Sequence, residues 1–272
     1  RKIEGWKNGV NLIYIPDGHS WDDAQVSSAS KMTRLDAQVL TQIADTGKSL
    51  PLARVESEAE LEIVRQRFSE IAINTILFED KAFDLDSVST RLRAIEFKGE
   101  KLTLTPFNVG DTIEVDRSDI YLVVVGALFE KKIESTENYK KNGDNKILET
   151  VEMSADQMLI DIYTKENQIS YRIEANGFDF SFLGAEKALI VNENMKLLLE
   201  KLKLVAPDIV FDDDYLRVRG FLGQVWEVEE KADSKGIHRK GFGRFNKEQT
   251  LMSDNLEQFN KYSRLQWHLL NK

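Results

Sequence analysis

The sequence predicts an α+β protein in which an N-terminal strand–helix–strand unit precedes a run of antiparallel strands closed by an amphipathic helix, with a packed C-terminal tail. Three observations carry this. Apolar residues recur at three- and four-residue steps between short β-branched runs over residues 1–85. The period falls to two from residue 91 onward. Helical spacing then returns in a single stretch that Pro207 terminates.

In the first unit, Val10–Ile15 reads as a strand closed by the turn residues Pro16-Asp17-Gly18. One helix is predicted from Trp21 to Thr46, with Ser20 as its cap and Gly47 as its stop. Its stripe comprises Val26, Ala29, Met32, Leu35, Val39, Leu40 and Ile43, and the serines at 27, 28 and 30 weaken its first half. Leu50–Val55 is a second strand. Ser57 and Glu60 have capping-box spacing ahead of Leu61, Val64, Phe68 and Ile71, and Ile73–Phe78 is a third strand. The strands flanking this helix are expected to run parallel. Asp84 and Asp86 mark a boundary.

The second unit, 86–206, carries strands at 91–97, 101–106, 111–116, 119–130, 157–164 and 168–175, with a bulge expected between Ala94 and Ile95. Residues 131–156 are charged and poorly patterned, and the reading is a long mobile loop. Phe178, Phe180 and Phe182 share one face of a further strand. A helix over 192–205 has Met195, Leu198, Leu199, Leu202 and Val205 on its stripe. The extension 207–272, with Leu216, Val218, Phe221, Trp226, Phe259, Tyr262 and Leu265, is too apolar to be a free tail and is expected to pack on the body.

Short antiparallel strands closed by one C-terminal helix over about 91–206 resemble the pleckstrin-homology-like barrel, whose bacterial members often show a strand such as Ile113 to Phe129. The resemblance implies a binding module rather than an enzyme. Two departures limit what it carries. The closing helix lacks the Trp usual in eukaryotic members. The basic signature of the phosphoinositide-binding members is incomplete, since Lys98 and Lys101 are followed by Thr103, so phosphoinositide binding is not carried over.

Composition narrows the chemistry. The 272 residues contain no Cys, which excludes disulfides, thiolate zinc sites, iron–sulfur clusters and a cysteine nucleophile, and fits a reducing, cytoplasmic setting. The longest apolar run, about Tyr121–Val125, falls far short of the roughly 20 residues that span a bilayer as a helix. Because the chain opens on Arg1, an upstream domain is an open expectation. With 37 basic and 46 acidic residues the net charge is −9, which opposes binding to nucleic acid or anionic lipid. No nucleophile elbow, paired His–Glu motif or Gly-x-Gly-x-x-Gly turn is present, and no cofactor is implied.

Four features bear on function. Thr46-Gly47-Lys48-Ser49 ends like a phosphate loop but precedes a strand and lacks the first Gly, so it reads as a helix stop. Asp17, His19, Asp22 and Asp23 meet at a strand-to-helix junction. They suit a divalent ion, as in a metal-dependent hydrolase, or equally the acidic start of a helix. Asp212, Asp213 and Asp214 read as a solvated turn or as motif-less catalytic carboxylates. Between Lys231 and Lys247 six basic residues face the single acid Asp233, with Phe242 and Phe245 interleaved. Here Lys235, His238, Arg239, Lys240, Phe242 and Arg244 are candidates to grip an acidic protein partner or to track single-stranded nucleic acid, or they form a structural hairpin. Together these features favour a non-enzymatic protein-interaction or regulatory module.

Overall fold

The computed structural model describes residues 5–87, 89–108, 110–139, 146–165, 167–206, 208–241 and 244–271; the side chains of 136–139, 146–149, 167–169, 229, 231, 232, 234–241 and 244–249 lie outside the description. The protein is an α+β chain of two compact units. One comprises Arg1–Ser89, Asp213–Glu227 and Asn260–Lys272, the other Thr90–Asp212 and Val228–Phe259.

In the first unit β1 (Val10–Tyr14) lies between β2 (Pro51–Val55) and β3 (Thr75–Glu79), antiparallel to both. The strands flanking the capped helix therefore point the same way, as expected, but are not neighbours. The reason is burial: all five residues of β1 are buried, which requires cover on both faces and places β1 in the centre.

The predicted 21–46 helix is two helices, α1 (Asp23–Thr33) and α2 (Ala37–Asp45). Arg34 between them is left-handed, with φ 65°. Local hydroxyls take over the backbone groups there: Ser30 Oγ donates to Leu35 O at 2.7 Å and Thr33 Oγ1 to Ala29 O at 2.9 Å, the competition that makes Ser and Thr poor helix interiors. Asp22, not Ser20, caps α1 in a reciprocal box with Gln25, and Asp36 caps α2. Ser57 accepts from Glu60 N at 3.3 Å ahead of α3 (Glu58–Glu70), as the spacing predicted.

Two later segments complete this unit, α5 (Tyr215–Leu222) and the Asn260 onward part of α6 (Leu256–Leu270). Tyr215, Trp226, Tyr262 and Leu265 are fully buried, and Trp226 Nε1 donates to Asn11 Oδ1 at 2.9 Å. The C-terminal extension is thus divided between the units, with 228–259 belonging to the second.

The second unit holds β4 (Thr90–Lys98), β5 (Lys101–Pro106), β6 (Ile113–Asp116), β7 (Ile120–Tyr139), β8 (Lys146–Thr164), β9 (Asn167–Glu174), β10 (Val210–Asp212), β11 (Glu229–Gly241) and β12 (Arg244–Asp254). Strand order is β11-β12-β7-β8-β9-β4-β5-β6, with β10 parallel to β7. The path is antiparallel except for a two-residue parallel contact of β4 with β9. Among the described residues it is open, with β6 and β11 at its ends, so the closed barrel expected from the sequence is not formed. The bulge falls between Leu92 and Ala94, next to its expected place.

Helix α4 (Val191–Val205) buries Met195, Leu198 and Leu202 in one core with Leu92, Ile95, Leu104, Val123, Ile160 and Ile173 of the strands. Leu199 and Val205 lie on the flank of that core, partly buried.

Two further expectations are corrected. Residues 131–156 are not a loop: β7 and β8 pair continuously from Glu130 with Ala155 to Thr136 with Glu149, and residues 140–145 lie outside the described residues. The period-2 signal is masked because both faces of this stretch carry charges, paired as Lys131 with Glu152 at 2.9 Å and Lys132 with Glu134 at 2.7 Å. The Phe178–Phe182 strand is a single bridge, Ala94 to Asp179, followed by a 3-10 turn at Ser181–Glu186.

Candidate functional site

The acidic junction is used by the backbone. Asp17 Oδ1 accepts from His19 N at 3.0 Å, which, with the His19 ring 3.3 Å away, holds this exposed carboxyl below the usual range, while Asp22 is the cap of α1. Among the described residues no group of three or more His, Asp or Glu side chains is placed to hold a metal.

Two features that the sequence treats separately meet in the first unit. Lys48, from the phosphate-loop-like tetrapeptide, lies 2.5 Å from Asp214 Oδ2, and Arg217 bonds Asp214 Oδ1 at 2.7 Å and Thr46 O at 3.0 Å. Burial raises the Asp214 pKa, but the hydrogen bonds from Lys48 and then Arg217 outweigh it and leave the carboxyl below its ordinary value. This cluster ties α5 to the loop after α2.

The basic run forms the β11–β12 hairpin. Its register sets Ile237 opposite Lys247, His238 opposite Asn246, Arg239 opposite Phe245 and Gly241 opposite Arg244. Phe242 lies outside the described residues, as do the side chains of Lys235, His238, Arg239, Lys240 and Arg244. Further along the same sheet, Met252, Lys132 and Met153 fall in one row across β12, β7 and β8. Two residues on, Thr250, Glu134 and Val151 form the next row of that face. Val151, Met153 and Met252 are exposed there.

Sequence reasoning missed the buried polar chemistry. Fully buried Asp80 accepts from Gly9 N at 2.8 Å, Asn11 Nδ2 at 3.0 Å and Arg54 through both Nε at 3.0 Å and Nη2 at 2.5 Å. The Arg54 guanidinium sits 3.8 Å from the Trp6 ring centroid and the buried Lys261 ammonium 3.5 Å from it. A Cβ on Gly9 would lie 2.5 Å from Asp80 Oδ2, which is why a glycine stands there. In the second unit Asp161 and Arg172, opposite each other on β8 and β9, form a buried bidentate pair at 2.7 Å and 2.7 Å. Burial lowers the Arg172 pKa, yet the Asp161 charge outweighs it and the net shift is upward. No spacing rule finds either cluster, because the partners come from different strands.

A third feature is a cavity of about 310 Å³ in the second unit. Arg117, Ser118 and Tyr121 precede or open β7, Lys165 follows β8, and Ala206 and Ile209 follow α4. Backbone bonds hold its rim: Arg117 N to Glu100 O at 2.9 Å and Lys165 N to Asp119 O at 2.9 Å. The Nε of Arg117 is buried and has no hydrogen-bond partner among the described residues.

No protein-family model, no curated protein and no solved structure matches the chain.

Proposed function

We propose that the protein is a non-enzymatic protein-interaction module whose second unit is a pleckstrin-homology-like domain, and whose β11–β12 hairpin receives an acidic extended segment of a protein partner as an added strand. The observation that carries this reading is the free outer edge of β11: among the described residues its one strand neighbour is β12. An unpaired edge offers backbone donors and acceptors in register, the requirement for strand addition. Charge selects the occupant. The hairpin tip holds Lys235, Arg239, Lys240, Arg244 and Lys247 by sequence, in a chain that is otherwise acidic. Another open edge, that of β8 before its pairing with β9 at Leu159, carries Glu149, Glu152 and Asp156, which repel the same segment. Exposed Val151, Met153 and Met252 on the adjoining face supply apolar area for a partner. Antiparallel strands sharing a core with α4 support the pleckstrin-homology-like likeness.

Short peptides alternating Glu with Val or Lys with Val test this by fluorescence anisotropy. The acidic peptide is expected to bind and the basic one not. Replacing Arg239, Lys240 and Arg244 together with Gln should weaken binding about tenfold, from three rim charges of roughly 0.5 kcal/mol each, with the melting temperature unchanged. Equal binding of the two peptides, or none of either, overturns the proposal.

A further inference from the structure

We propose that the acidic strand received by the β11 edge is β8 of a second copy of this chain, so that copies join head to tail through one continuous sheet. This rests on the hairpin reading and names its partner. The strands β11, β12, β7 and β8 form a ribbon with two open sides. One side is β11. The other is β8 ahead of Met158, where pairing with β9 has not begun: every residue from Thr150 to Asp156 is exposed, and among the described residues no strand covers that side.

Charge decides which edges can meet. From Glu149 to Met158 the sequence holds Glu149, Glu152 and Asp156 and no base, while from Lys235 to Gly241 it holds Lys235, Arg239 and Lys240 and no acid. Two β8 edges repel each other, as do two β11 tips, so charge opposes a twofold dimer through either edge and leaves the mixed pairing. Sliding β8 toward the hairpin tip until Glu152 stands beside Arg239 also brings Asp156 beside Lys235, because each pair is four residues apart. β11 shifts register at Lys235 and again at Lys240, which guards this edge against an indiscriminate strand but not against an acidic one. The edge of β6 is a poorer donor, since it has four residues and its Glu114 is paired with Lys101 at 3.0 Å.

Strand direction permits the same pairing. β11 runs against β12, β12 against β7 and β7 against β8, so β11 and β8 are antiparallel within one copy. A copy displaced sideways, with no inversion, therefore sets its β8 antiparallel to β11 of its neighbour. Each joined pair still presents one free β8 and one free β11, so association does not stop at two, and sheet twist turns the row into a helical array.

Sedimentation velocity of the full chain at up to about 1 mM, a range suited to so small an interface, reads the assembly. At about 50 mM NaCl the average mass is expected to climb with concentration past that of two chains, and about 500 mM NaCl should lower the association constant at least about tenfold by screening the edges. The triple variant Glu149→Lys, Glu152→Lys, Asp156→Lys should be a monomer, as should Lys235→Glu, Arg239→Glu, Lys240→Glu. Mixing the two should restore assembly, because each supplies the edge that the other lacks. The peptide alternating Glu with Val should break up the unmodified assembly by capping β11. A chain that stays monomeric at about 50 mM NaCl, a mass that stops at two chains, or an assembly untouched by that peptide overturns the proposal, and all three are read on the unmodified chain. If the acidic peptide binds while the chain stays monomeric, the hairpin reading stands and the second copy alone is ruled out.

Discussion

Arg54 in the first unit and the Nε of Arg117 in the second are both drawn away from solvent, yet they stand in opposite states. Arg54 gives Nε and Nη2 to Asp80, whose remaining acceptor capacity is taken by Gly9 N and Asn11 Nδ2, and its guanidinium face lies on Trp6. Arg117 has a buried Nε with no described partner and lines a cavity. The contrast separates two uses of one side chain. A buried charge whose Nε and Nη2 are matched by the chain fastens its segments together. A donor that the fold desolvates and leaves unmatched is a cost to stability.

The largest expected effect tests the fastened side of that contrast. Asp80→Ala strands Arg54, Asn11 and the Gly9 amide without their acceptor and should destabilise the protein by about 3–5 kcal/mol in urea unfolding. Arg117→Met removes an unmatched donor and should cost less than about 0.5 kcal/mol, or stabilise. If the two substitutions cost the same, the distinction between the arginines collapses.

An intermediate effect sharpens the comparison in the second unit, where a close approach accompanies a buried pair. The Phe259 ring, stacked near the Arg172 guanidinium with 5.3 Å to its centroid, covers Gly126 so closely that a Cβ would stand 2.2 Å from Cε2. Gly126→Ala should therefore cost about 1–3 kcal/mol through overpacking, read as a lower unfolding midpoint. A neutral result would mean that the ring moves aside without loss, and that the Arg172 site is less tightly held than the Asp80 site.

The smallest effect concerns the partly buried margin of the first unit. Asp214 has a folded pKa below its ordinary value, so Lys48 and Arg217 contribute stability that is fully present above the unfolded pKa of about 4 and is lost as pH falls through the folded value. Lys48→Met should lower stability by less than about 1 kcal/mol at neutral pH and leave the protein less sensitive to acid. Unfolding curves at neutral pH and near pH 3 measure the difference. An unchanged acid sensitivity would exclude Asp214 as a contributor.

The legible parts of the chain were those where a local rule and the tertiary structure agree. Ser57 with Glu60 marked the start of α3, the stripe of Met195, Leu198 and Leu202 marked the core face of α4, and β4 and β6 showed their period because one face is buried. Leu199 shows the limit of that reading: helical spacing alone could not rank it below Leu198, since the edge of a stripe depends on how far the neighbouring strands reach. The hairpin at 131–156 was missed because solvent on both faces removes the alternation that a buried face imposes.

By itself the amino-acid sequence determined the α+β class, the change of period near residue 90, the cap of α3 and the stop of α4, the exclusion of cysteine chemistry and the concentration of positive charge between Lys231 and Lys247. These follow from local geometry and composition, which act over a few residues. Tertiary structure alone decided that β1 would be central, that Lys48 would meet Asp214, that Asp80 would draw Gly9, Asn11 and Arg54 to one carboxylate, and that Arg117 Nε would be buried with no partner among the described residues. Each joins segments tens to hundreds of residues apart or depends on which water is excluded, and desolvation is a property of the packed chain that no short window of sequence contains.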